Sequence, residues 1–239
     1  MDSEPAASVP PRGAADLTSG PISRTLLVFA LPTLASNVLQ SLNGSINSIW
    51  VGRFLGEGAL AATANANIIM FLLFSAVFGF GMAATVMVGQ AFGRRDIAAA
   101  RRAFGSALGF CFLLSIVVSV AGWIGAPAIL RALATPGAAF DLALTYLRVI
   151  FLAMPASLIS VMVMMGLRGS GDSITPLWFM ILSVILDSGL NPLFIRGAGP
   201  IPAMGIAGSA TATAVAGYVS LIAMLVYVYR KDLPLRLRG

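Results

Sequence analysis

The chain has no histidine, one cysteine and one lysine, and only 10% of its 239 residues are charged. Each scarcity excludes something. Without histidine, the usual proton shuttle and the commonest metal ligand are missing. Cys111 stands alone, so no disulfide framework can form. A soluble domain carries about 25% charged residues, and this chain falls far below that. What fills the gap is apolar: 58% of the residues are hydrophobic and the mean hydropathy is +0.93. The chain reads as an integral membrane protein. Its net charge of +6 does not point to nucleic acid, because the basic residues lie in short segments between apolar runs, where they set orientation. An HExxH zinc motif is absent and the lone Lys231 sits at the end of the last run, so an intramembrane enzyme is disfavoured and no cofactor is expected.

Residues 1–23 are rich in Pro, Ala and Ser and mixed in charge. They lack the apolar core of a signal peptide and read as a disordered cytoplasmic tail. Six apolar runs follow: Leu26–Val51, Leu60–Val88, Ala103–Ala126, Leu142–Leu167, Pro176–Ile195 and Met204–Tyr229. Each is near or above the ~20 residues a helix needs to cross a bilayer. A lone strand cannot satisfy its backbone in lipid, so the expected class is all-α, a polytopic bundle of six transmembrane helices over 24–230, with 231–239 as a cytoplasmic linker. Turn chemistry marks the breaks at 52–58 (GRFLGEG), 93–96 (GRRD), 134–137 (ATPG), 168–172 (RGSGD) and 196–202 (RGAGPIP). With the N-terminus inside, eleven basic residues fall on the cytoplasmic side and only Arg53, Arg131 and Arg196 outside. Arg148 lies in the outer turns of the fourth run. The bias supports cytoplasmic N- and C-termini in a cytoplasmic (inner) membrane.

Among nine acidic residues, only Asp187 falls deep inside an apolar run. An ionised carboxylate at that depth costs roughly 2.5–3.5 kcal/mol on insertion scales and marks a functional site by default. Asn191 lies four residues on and shares its helix face, and Ser183 continues the face one turn earlier. Pro192 removes a helix hydrogen bond and frees a carbonyl. Asp187, Asn191 and a freed carbonyl could hold a proton or Na⁺. The first run carries a second polar feature. Asn37, Gln40, Ser41, Gly44, Asn47 and Ser48 recur at three- and four-residue steps and span an arc of roughly 120°, with Asn43 at its edge. In a bilayer such a stripe faces a partner helix or a water-filled cavity. Asn37, Gln40, Ser41, Asn47 and Ser183 are the expected cavity-lining set. Pro32 and Pro155 mark expected kinks, and Met162, Met164 and Met165 expected packing.

Six segments then align in order: ALPTLASNVLQSLN (30–43), IWVGRFLGEGALAA (49–62), VGQAFGRRDIAAARR (88–102), LRGSGDSITP (167–176), LDSGLNPLFI (186–195) and GIAGSATATAVAGY (205–218). In these the chain resembles the multidrug and toxic compound extrusion (MATE) family, whose wider group includes lipid-linked oligosaccharide flippases. The resemblance implies cation-coupled antiport, driven by H⁺ or Na⁺, that exports small organic compounds across a lipid bilayer. It further implies twelve helices in two six-helix bundles around a cavity with alternating access. The family's usual fifth-helix pattern is Asn-x-x-x-Asp; here Asp187 and Asn191 exchange those positions, and Asn47 stands where the first helix often carries Asp. Only the first bundle is represented, so a second six-helix half, another copy or a separate chain, is an expected partner. A flippase-like relative and a truncated, non-transporting membrane subunit are the alternatives; the few cations within the spans count against the former.

Overall fold

The computed structural model describes residues 22–133, 135, 137–197 and 202–231. Nearly all of the expected N-terminal tail and of the 231–239 linker, half of the 134–137 turn and most of the 196–202 turn lie outside these residues. Five helices appear: α1 (Ile22–Gly93), α2 (Ile97–Ala132), α3 (Gly137–Gly169), α4 (Ile174–Arg196) and α5 (Ile206–Arg230). No strand occurs among the described residues. All five are long and apolar enough to cross a membrane, which makes this a multi-pass, all-α membrane protein.

The first two runs follow each other without an intervening loop, as one helical element of 72 residues interrupted within GRFLGEG. Arg53, Leu55 and Glu57 are good helix formers, and only Gly56 leaves helical geometry, at φ 81° and ψ −174°. An L side chain rarely enters that region, so glycine is required there. A straight helix of that length would measure ~108 Å, more than three times the ~30 Å hydrocarbon layer. The break therefore divides α1 into two arms, 22–55 and 57–93. A side-chain atom of Leu60 lies 3.8 Å from where a Cβ on Gly52 would sit. Eight residues of straight helix would separate the two by ~12 Å, so the chain bends sharply at Gly56.

The helix α3 is the centre of the bundle. Its most apolar window is 56% buried, against at most 33% in any other span. Leu147, Phe151, Met154, Leu158 and Met162 are enclosed there. Its backbone carbonyls are tied to three neighbouring elements. Thr85 Oγ1 in the second arm of α1 donates to Met165 O at 3.1 Å, Cys111 Sγ in α2 to Leu158 O at 3.7 Å, and Tyr218 OH in α5 to Leu152 O at 2.9 Å. Ser119 in α2 donates to Phe151 O. That last bond answers a vacancy made by sequence: Pro155 has no N–H, so the carbonyl four residues earlier, that of Phe151, loses its helix partner. Close approach is the other packing device. At Gly208 an added Cβ would meet the Phe194 carbonyl, and at Gly169 it would lie 2.8 Å from the Thr85 carbonyl oxygen.

The turn between α3 and α4 explains the RGSGD motif. Asp172 is buried, and its carboxylate accepts from the backbone N–H groups of Ile174 (3.1 Å) and Thr175 (2.9 Å) and from Thr175 Oγ1 (2.6 Å). It caps the first turn of α4. Asp96 does the same for α2 through the Ala99 N–H at 2.8 Å.

Ser119→Ala should lower stability by about 1–3 kcal/mol, because it strands a buried carbonyl. In a Pro155→Ala background residue 155 regains an N–H for Phe151 O, so the same substitution should cost far less. Thermal unfolding of the two single variants and the double variant in detergent checks this; strictly additive losses would rule out the compensation.

Candidate functional site

Asp187 sits in the middle of α4, and both it and Asn191 are nearly inaccessible, at 2% and 1% exposed. The carboxylate receives three side-chain hydrogen bonds from three helices. Asn43 Nδ2 in the first arm of α1 donates to Oδ2 at 2.9 Å. Thr213 Oγ1 in α5 donates to Oδ1 at 3.0 Å. Asn191 Nδ2 donates to the same oxygen at 3.2 Å and to the Asp187 backbone carbonyl at 3.1 Å. A buried charge is tolerable only when it is paired or hydrogen-bonded, and here neutral dipoles supply the solvation.

This arrangement has a second consequence. With their nitrogens turned to Asp187, the amide oxygens of Asn43 and Asn191 are buried and have no hydrogen-bond partner. Two orphaned carbonyl oxygens thus flank a carboxylate. Hard cations are bound by such all-oxygen sets, and a proton needs only the carboxylate itself. Pro192 frees the Ser188 carbonyl next to Asp187. Asn47 extends the polar network: its Oδ1 accepts from Ser209 Oγ of α5 at 2.8 Å, and its side chain also bonds to the buried Tyr146 of α3.

The first-arm stripe is therefore split. Asn43 and Asn47 turn toward α4 and α5, while Asn37 and Gln40 line a cavity of about 440 Å³ between the two arms of α1, α3 and α4. Ser41 is exposed outside that cavity, and Ser183 is half-buried on α4. Arg148, a conceivable partner for Asp187, instead lies over the Trp123 ring at 5.0 Å. The sequence had marked Asn43 only as the edge of the stripe, and it did not mark Thr213, Ser209 or Tyr146. Thr213 sits among small residues of α5 (SATATAVAG); like Thr211, which bonds Ala207 O, it reaches its own backbone, at Ser209 O, and only the facing helix adds the contact to Asp187.

With this geometry in place, comparison with known proteins is decisive. The MatE family model matches residues 32–193. The chain belongs to the MatE family. It is similar to the "Probable multidrug resistance protein YoeA" of Bacillus subtilis (strain 168), with 35% identity over 89% of this chain and 46% of that protein. It is also similar to the "FAD transporter" of Shewanella oneidensis, with 29% identity over 86% of this chain and 45% of that protein. The fold matches a solved MOP superfamily transporter from Pyrococcus furiosus, with a TM-score of 0.85 and 21% identity over 94% of this chain and 50% of that one. An outward-facing multidrug resistance MATE family transporter gives a TM-score of 0.82 and 22% identity over 90% and 46%. This MatE chain spans about half the length of the relatives it matches.

A Thr213→Val substitution removes one donor to a buried carboxylate and should cost about 1–3 kcal/mol of stability. Combined with Asp187→Asn, the two effects should be non-additive by roughly 0.5–3 kcal/mol, as for residues in contact. A thermal double-mutant cycle measures this, and simple additivity would mean the two side chains do not act together.

Proposed function

We propose that this chain is the N-terminal lobe of an exporter that moves small organic compounds out across the cytoplasmic membrane in exchange for H⁺ or Na⁺, and that Asp187 is the coupling group. The observation that carries the reading is a buried carboxylate held only by neutral donors, with two unpartnered amide oxygens beside it. Asp187 and Asn191 then form the core of the cation site, with Asn43 and Thr213 completing it. The exchanged order of acid and amide on α4 does not forbid the role, since one helical turn separates them and both are buried in the same cluster.

A second six-helix half is part of the proposal. Asn37, Gln40, Ser41, Gly44, Ser45 and Ser48 are exposed along the first arm of a membrane-spanning helix. Exposed amides are not left against acyl chains; a facing half enclosing a wet cavity gives them an environment. Similar folds place the substrate between packed repeats. One charge falling through ~100 mV supplies about 2.3 kcal/mol, enough to sustain a gradient of about 50-fold in an uncharged substrate. One coupling carboxylate is therefore energetically sufficient.

Asp187→Asn should abolish ion-driven efflux while leaving membrane insertion and folding intact, because Asn keeps the shape of the side chain. The measurement is dye efflux from everted vesicles containing this chain with a second six-helix half, alongside the chain alone. Undiminished efflux by the Asn variant would end the coupling assignment.

A further inference from the structure

The cavity beside the Asp187 cluster has a chemical character of its own. One wall is aromatic: Phe71, Phe74 and Phe78 of the second arm of α1. Met164 and Met180 face it from α3 and α4, flexible thioethers that fit flat rings of varied outline. Asn37 and Gln40 contribute amides, and no acidic residue lines the space. Its single charge is Arg168, from the last turn of α3.

Arg168 has nothing to neutralise it among the described residues. Its Nε is buried without a hydrogen-bond partner. Asp172, the acid nearest in sequence, has its carboxylate committed to the first turn of α4. A guanidinium presents five donors in a planar fork suited to carboxylates, sulfonates and phosphates. Its neighbours supply ring-stacking surface instead of a counter-charge. The volume of about 440 Å³ falls in the range of drug-sized sites, about 300–1,000 Å³. A cationic aromatic would put its charge beside an unneutralised cation. An aromatic anion would stack on the phenylalanines and meet the fork of Arg168.

We propose that this cavity is a binding site for a flat aromatic anion, anchored by Arg168 and stacked on Phe71, Phe74 and Phe78. That such a ligand is cargo rests on the export reading above; the site itself does not. Gln40 lies one turn from Asn43 on the same arm, so the ligand and the coupling carboxylate share a helix.

The test is equilibrium binding to the full chain in phosphatidylcholine nanodiscs, using 2-naphthalenesulfonate, uncharged 2-naphthol and a trimethylnaphthylammonium cation. The sulfonate should bind about tenfold or more tighter than the cation, as a charge-assisted hydrogen bond would give. Arg168→Gln should remove that preference and leave naphthol binding unchanged, Arg168→Lys should restore part of it, and Phe74→Ala should weaken all three ligands. If Arg168→Gln also loses naphthol, the variant has misfolded, and the preference of the unsubstituted chain decides. Equal or tighter binding of the cation, or an unchanged sulfonate affinity in Arg168→Gln, would overturn the proposal. So would abolition of sulfonate binding by doping the disc with phosphatidylglycerol at fixed ionic strength, which would assign Arg168 to a lipid headgroup. Efflux indifferent to Asp187→Asn with the sulfonate preference intact would remove the coupling assignment and leave this site standing; the reverse pattern would remove this site alone.

Discussion

The contacts of α1, α4 and α5 answer to the cost of holding one carboxylate away from water. Asp187 sits where neither solvent nor a cationic side chain stabilises it, so the surrounding helices must provide dipoles. They do so from three directions: Asn43 on α1, Thr213 on α5 and Asn191 one turn along α4. The Asn43 and Thr213 donors fix the positions of α1 and α5 relative to α4. The cluster thus holds the packing of α1, α4 and α5 together. Binding a small cation there would change the charge the dipoles answer to, and so alter the contacts of all three helices at once.

The rest of the bundle is held by a different rule. Few apolar side chains are needed to exclude water when lipid surrounds the protein, and many large hydrophobic residues accordingly point outward, among them Leu72, Leu113 and Ile124. Specificity comes from small residues that let backbones approach, as at Gly169 and Gly208, and from hydroxyl or thiol groups that reach carbonyls on another helix. The α3 helix gathers most of these bonds, which is why it occupies the centre.

Much of this was legible in the residues. The all-α class, the spans and the pairing of Asp187 with Asn191 follow from hydropathy and helical spacing, which are local properties. The first break was legible in place but not in form: GRFLGEG has the composition of a turn, yet only Gly56 leaves helical geometry. The donors Thr213 and Ser209 also escaped, since hydroxyls within a small-residue helix ordinarily bond their own backbone, and only the facing helix shows which of them also reach across. Asn43 lay at the margin of a stripe whose two halves turned out to face different surroundings.

The proline in the central helix has a mechanical corollary. Because the Phe151 carbonyl is satisfied from α2 rather than from its own helix, sliding α2 along α3 would expose a bare oxygen inside hydrocarbon. These two helices are therefore latched against translation and should travel as one plate. Any rearrangement of the bundle has to be absorbed elsewhere, in the bent α1 and the α4–α5 pair that grip the acid.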